Sequence, residues 1–415
     1  MKYIALGFMT MAACFCFYAL KAGTPKYRKF IWALYLGIFV FASYLFFSRI
    51  ITSYYNQQVW DFSAFYLWGK AAVAGYDVYS PENLKIVFNS IKLPPFYLDI
   101  FVKEIVDTGF FYPPQSILYF APLGFLSYYP AYILWMIFNL SFAFASMYLL
   151  FRRFEKSDLL STLVLTATLF FLCSPARLTI MFSQTNFILL FYLLLIEKYA
   201  NKNVGGIFLA LAVVTKPYML ILGVFFLLRK NWGAIIYFMG GMLAITGITF
   251  FLFGKSIFLS YILNNPTKRI PPSVFSEEMN QSLHGVLLRA KVISLDHPIV
   301  YISVAGGILL LAGLYLLFLL KNKLPHYILP TLLLVGLLIY PATLAYYGVL
   351  LLFIIFKFLD KDDQLEIKPY MGAVVIGVVF AVISLSVFAC ICLLLIILVS
   401  KSFLENKIFL KRENS

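Results

Sequence analysis

The feature that most restricts what this chain can fold into is a succession of long apolar runs without one charged side chain. Residues 3–20, 31–48, 159–176, 178–196, 232–254, 299–320 and 370–400 contain no Asp, Glu, Lys, Arg or His. At 1.5 Å of rise per residue, about 18–20 such residues cross the roughly 30 Å hydrocarbon core of a bilayer as a helix. Within lipid a backbone meets its hydrogen-bonding needs only as a helix or a closed barrel, and runs of this length without alternation select the helix. The run 3–20 is longer than the apolar core of a leader, and no small-x-small site precedes Lys21, so it is read as a membrane helix. Residues 110–151 and 327–356 are each too long for one span; Pro113, Pro114, Pro122 and Pro130 break up the first and Pro341 divides the second. Lys216-Pro217 interrupts 203–228 and predicts two short helices meeting at a polar point. The expectation is an all-α polytopic membrane protein with about eleven to thirteen membrane helices, forming a single integral membrane domain over residues 1–415.

Charge then orients the chain. Only 12% of its 415 residues are charged, and 33 Lys and Arg stand against 18 Asp and Glu, a formal +15. So sparse a basic excess reads as short cytoplasmic loops facing anionic lipid, with no nucleic-acid partner. Lys21, Lys26, Arg28 and Lys29, then Arg152, Arg153 and Lys156, Lys198 and Lys202, Arg229 and Lys230, and Lys321 and Lys323 fall on one side if 114–127 is re-entrant. By the positive-inside rule that side is cytoplasmic. The opposite face receives two long hydrophilic stretches, residues 50–112 with short amphipathic helices and residues 255–298 with Pro266, Pro271 and Pro272, so function is expected on the extracytoplasmic side. The five Cys all lie in apolar runs and the three His are scattered, so neither a disulfide framework, a metal site nor a bound cofactor is expected.

Several polar constellations interrupt the apolar background. Asp61 begins Trp60-Asp61-Phe62-Ser63-Ala64-Phe65-Tyr66, followed by Gly75-Tyr76-Asp77-Val78-Tyr79. It has two readings: a cap for a helix 62–74 that Gly75 ends, or a carboxylate made basic by partial burial and placed to take a proton from a hydroxyl. Tyr112-Pro113-Pro114, Pro122-Leu123 and Trp135 outline a proline-broken segment on the floor of an outer cavity. Arg177, Gln184 and Asn186 form a polar turn between two apolar runs, able to bind hydroxyls or phosphate or simply to sit at the interface. Lys216, between two apolar segments, cannot face lipid cheaply and needs an anionic partner, a carboxylate or a phosphate. Asn280-Gln281-Ser282-Leu283 with Arg289 offers amides for hydroxyls and a guanidinium for an anion, or a capped solvated loop. Tyr340-Pro341-Ala342-Thr343-Leu344-Ala345-Tyr346-Tyr347 starts an outer-facing helix.

Taken in order, these pieces resemble glycosyltransferase family 87, the polyprenol-phosphate-mannose-dependent α-mannosyltransferases of the GT-C fold, over roughly residues 31–350. Asp61 with Tyr66 and Gly75-x-Asp77-x-Tyr79 is similar to that family's first outer loop, and Tyr112-Pro113-Pro114 to its YPP segment. Ser183-Gln184-Thr185-Asn186 is similar to a Gly-Gln-x-Asn motif with Ser for Gly, and Tyr346 stands where the family's Ser-Pro-x-Ser-Trp-x-His-Tyr segment has its His. The resemblance implies a GT-C-type bundle and inverting transfer of a hexose, mannose in the family, from a polyprenyl-phosphate donor to a glycan or glycolipid acceptor; a monophosphate leaving group needs less neutralisation than a nucleotide diphosphate, so the transfer is expected to be metal-independent. It also implies Asp61 as base, Lys216, Arg289 and Arg177 at the donor phosphate, and Tyr66, Tyr112, Gln184, Asn186, Asn280, Gln281 and Tyr346 around sugar and acceptor. The competing class is a transporter or flippase for an anionic lipid-linked substrate, in which the same cations bind the cargo and Asp61 couples or caps.

Overall fold

The computed structural model describes residues 2–22, 27–55, 60–91, 105–152, 158–264, 272–295, 298–359 and 369–413. Pro266 and Pro271 of the second expected outer loop, and residues 92–104 of the first, lie outside the described residues. Among the described residues the named elements are all helical, and an isolated antiparallel bridge joins Asn280 to Leu344. Among the described residues six helices are long and apolar enough to cross a membrane: Tyr3–Lys21, Arg28–Ser53, Tyr128–Phe151, Trp232–Phe253, Ile299–Lys321 and Val387–Lys407. Leu159–Leu172 and Ser174–Met181 make a seventh if taken together across a 60° bend, and five shorter apolar helices accompany them. The chain is a multi-pass membrane protein.

Two breaks fall where apolarity alone does not put them. The runs 159–176 and 178–196 are each continuous in composition, yet the helix stops at Cys173 and restarts at Ser174, with Pro175, which lacks an N–H, in the first turn of the new helix. The next helix, Asn186–Lys198, begins only after the polar turn. The run 370–400 is two helices, Pro369–Leu385 and Val387–Glu413, because the Ser386 hydroxyl accepts from the Ala389 N–H (3.2 Å) and caps the second while donating to Gln281 Oε1 (2.7 Å).

The chain divides into two compact units. The first comprises residues 1–51, 144–179 and 277–415. Its Lys2–Lys21 helix lies against Pro369–Leu385 at a pair of glycines: a Cβ on Gly7 would stand 2.7 Å from Ala381 Cβ, and one on Gly377 would stand 2.7 Å from Met11 Cβ. Small residues let helix backbones approach where lipid gives no hydrophobic drive for association. Phe46 packs on Phe170 and Phe171 with ring centroids 6.1 and 4.6 Å away, and the Tyr35 phenol donates to the Ser161 carbonyl (2.7 Å).

The second unit comprises residues 52–143 and 180–276. Here Trp60–Val73 crosses Ile117–Gly124 so closely that a Cβ on Gly69 would overlap the Phe120 carbonyl and one on Gly124 would overlap the Gly69 carbonyl. The Lys70 ammonium donates to the Gly124 carbonyl (2.9 Å) across the same crossing. Gly75, with φ +79°, closes the Trp60–Val73 helix, the Tyr76 N–H reaching back to the Ala71 carbonyl (2.9 Å) in a Schellman pattern. Gly205–Thr215 packs on both Asn186–Lys198 and Trp232–Phe253.

Candidate active site

Asp61 is the second residue of the Trp60–Val73 helix, inside its first turn and not ahead of it, so it does not cap that helix. Its carboxyl takes a hydrogen bond from the Gln184 side chain and lies in the field of Lys216. Burial pushes it up to about 6, and the Gln184 bond and the lysine hold it from rising further. A helix N-terminus also favours the ionised form.

Lys216 reaches this point because the chain breaks there. Pro217 forbids its predecessor the helical conformation, and Lys216 is extended (φ −148°, ψ 113°) between Gly205–Thr215 and the 3₁₀ turn Pro217–Leu222. The side chain is buried, and its Nζ donates to the Tyr112 hydroxyl at 2.6 Å. Tyr112 is held in turn by the Tyr79 phenol, which donates to its carbonyl (2.8 Å). Asp77 accepts from the Tyr79 N–H (2.9 Å) and from the Ser260 hydroxyl (2.6 Å), which makes it an anchor for this segment.

Gln184 belongs to the turn before Asn186–Lys198. Ser183 has φ +54°, a left-handed conformation that costs a non-glycine residue roughly 1–2 kcal/mol; this is the position at which the family motif named above has Gly. Ser183→Gly is therefore expected to leave the turn intact and to raise the melting temperature slightly, while Ser183→Val lowers it by several degrees; equal melting temperatures for the two would exclude strain at this residue. Beyond Ser183, three consecutive side chains are buried with unmet polar atoms. Gln184 Oε1, Thr185 Oγ1 and both amide atoms of Asn186 have no hydrogen-bond partner among the described residues, at exposures of 3%, 1% and 0%. Buried polar groups left so cost about 1–3 kcal/mol each, and in native proteins they mark places where a polar ligand or water is received.

Asn139, which no motif in the sequence marks, belongs to this arrangement. An Asn in the apolar Tyr128–Phe151 helix, four residues beyond Trp135, was the available signal. With its amide turned to satisfy both ends, Asn139 donates to the Gln184 carbonyl (3.0 Å) and accepts from Trp135 Nε1 (2.9 Å).

The other residues singled out from sequence are placed differently. Tyr66, on the Asp61 helix, is an anchor: its phenol donates to the Leu126 carbonyl (3.1 Å) and its ring packs on Phe62 and Tyr128. Arg177, Asn280, Gln281, Arg289 and Tyr346 belong to the first unit. Arg177 Nη1 donates to the Phe171 and Leu172 carbonyls, closing the end of Leu159–Leu172. Asn280 spans the loop, Nδ2 donating to the Pro341 carbonyl (2.8 Å) and Oδ1 accepting from Ser282, while the Gln281 N–H donates to the Thr343 carbonyl (2.7 Å). Arg289 Nη1 donates to the Glu277 carbonyl, and Tyr346 is buried against Tyr347 with its carbonyl accepting from Thr179. No group of three or more His, Cys, Asp or Glu that could hold a metal ion occurs among the described residues.

These features define a polytopic helical membrane protein with an acid, a lysine and unmatched amides gathered in one unit. A family model described as glycosyltransferase family 87 matches residues 110–346, more than half of the chain. The chain belongs to that family and is a membrane glycosyltransferase. The matched stretch includes Tyr112, Asn139, Gln184, Asn186 and Lys216, whereas Asp61 precedes it. Comparison with curated proteins and with solved structures returns no match.

Proposed function

We propose that the protein transfers a hexose, mannose in the first instance, from a polyprenyl-phosphate donor to a hydroxyl of a glycan or glycolipid on the extracytoplasmic face, with inversion. The observation that carries this reading is the Asp61 carboxyl beside Gln184 and Lys216, next to buried amides whose hydrogen bonds are unmet. The acceptor oxygen attacks the anomeric carbon from the face opposite the lipid phosphate; the new C–O bond forms, the anomeric bond to phosphate breaks with its electron pair going to phosphate, and the acceptor proton passes to Asp61. A carboxylate with a pKa of about 6 is ionised at neutral pH and still basic enough to accept that proton. Lys216, positioned by Tyr112, opposes the charge that grows on the departing phosphate. Gln184, Thr185 and Asn186 supply donors and acceptors for sugar hydroxyls.

The test is transfer by purified protein in nanodiscs supplied with radiolabelled polyprenyl-phosphate mannose and membrane-extracted acceptors, with EDTA present throughout. Transfer is expected from the lipid-phosphate donor in EDTA and not from a nucleotide sugar; transfer from the nucleotide sugar alone would overturn the donor class. Lys216→Met is expected to lower kcat/KM for the lipid donor about 10²–10³-fold, the usual loss when one preorganised charge or donor is removed. A change below tenfold in folded protein would take Lys216 out of the site.

A further inference from the structure

The turn that carries Gln184 is held by two side chains to which the mechanism above gives no part. Trp135 and Asn139 stand four residues apart, on one face of Tyr128–Phe151, and both are more than nine-tenths buried. Trp135 Nε1 donates to the Ser183 carbonyl (2.8 Å) and shares that proton with Asn139 (2.9 Å), whose amide donates to the Gln184 carbonyl (3.0 Å). Two adjacent carbonyls of one turn are thus fixed from the same helix, at the point where Ser183 is left-handed. Backbone strain of that kind persists only where the surroundings over-determine it. An amide at this depth in an apolar helix is costly unless it has such partners.

We infer that Asn139 is a positioning residue that, by fixing the Gln184 carbonyl, keeps the Gln184 amide on the Asp61 carboxylate and supplies the hydrogen bond its ionised form needs. The groups facing Asp61 are Gln184 from the turn and Lys216 from the break after Thr215, itself bonded to Tyr112. On the helix of Asp61, the head groups of Tyr66 and Lys70 are tied to the Leu126 and Gly124 carbonyls. Loss of the Gln184 bond leaves burial opposed by Lys216 and the helix N-terminus, so the carboxyl titrates higher. The effect on rate rests on the proposed role of Asp61 as base; the effect on its titration does not.

The experiment titrates the infrared carboxyl band of Asp61, identified by its loss in Asp61→Asn, in nanodisc-embedded protein, and records the pH profile of kcat beside it. Asn139→Leu is expected to raise the titration midpoint by about one pH unit and to move the rate profile by the same amount. Gln184→Leu should give the same shift, and the double variant should add nothing. Should Asn139→Leu fail to fold, Trp135→Phe removes the neighbouring bond and is read in the same way. A midpoint that stays put in a folded variant overturns the inference, whatever the rate does. A shifted midpoint with an unshifted rate profile supports the positioning role of Asn139 and removes Asp61 from the role of base.

Discussion

Asp61→Asn is expected to lower kcat by at least about 10³-fold with KM little changed, because the substitution keeps the shape of the side chain and removes only its ability to take a proton. The same change should stabilise the protein at neutral pH. Burial places the folded-state carboxyl at about 6, above its ordinary value of 3.8. Below about pH 3 the group is protonated in both folded and unfolded chains and adds no difference; as pH rises from there to 6 the unfolded chain ionises first, and folding loses stability. At pH 7.5 the Asn variant should be more stable by about 1–3 kcal/mol, and the gap should close towards about pH 3. Opposite signs for activity and stability are what a functional buried acid shows and a structural one does not. The check is kcat and melting temperature for both proteins between pH 3 and 8; undiminished transfer by the variant would leave Asp61 no part in chemistry.

Gly69→Val is expected to abolish folded protein, by a loss of more than about 3 kcal/mol. The atoms that a new Cβ would meet at Gly69 are the Phe120 carbonyl and the backbone of Gly124, which cannot swing aside as a side chain would. Gly69→Ala has the same direction with a smaller displacement, and the helix that moves carries Asp61. Its kcat should fall about 10²-fold, since a displacement near 1 Å is enough to spoil a proton transfer. Gly37→Ala is the control: nothing lies within 4 Å of a Cβ there, and Ala is the better helix former. Detergent-solubilised yield and melting temperature distinguish the three. Equal stability for Gly69→Val and Gly37→Ala would mean that the two helices can separate without cost.

The helices and the functional residues differ in how far they can be read from sequence. The charge-free runs at 31–48, 232–254 and 299–320 became spans at nearly the same residues, because burial in lipid acts on composition alone. Lys216-Pro217 and Pro341 were legible for the same kind of reason, a missing N–H and a restricted neighbour, which are local properties. The break at Ser386 was not, since it depends on a bond to Gln281 more than a hundred residues away. Among the candidate residues, Lys216 was legible as a buried group from its cost in an apolar segment. Asn280 and Gln281 carried the residue types of a sugar site, but their backbone and side-chain bonds to Pro341, Thr343 and Ser386 show how the same amides serve to tie a loop. Spacing could not distinguish those uses, and it could not reveal Asn139, whose partner is a carbonyl that any residue would offer.

The packing of Lys2–Lys21 on Pro369–Leu385 bears on how the protein is made. The first of these helices leaves the ribosome about 350 residues ahead of its partner, which at ordinary elongation rates is a delay of roughly 20–70 s. During that interval the face bearing Gly7 has only lipid or insertion machinery against it, and the notch that will later receive Ala381 stands open. Biogenesis of the first unit therefore ends with a docking step late in translation. Chains shortened before residue 369 should insert yet turn over quickly, long before any defect in catalysis could be seen.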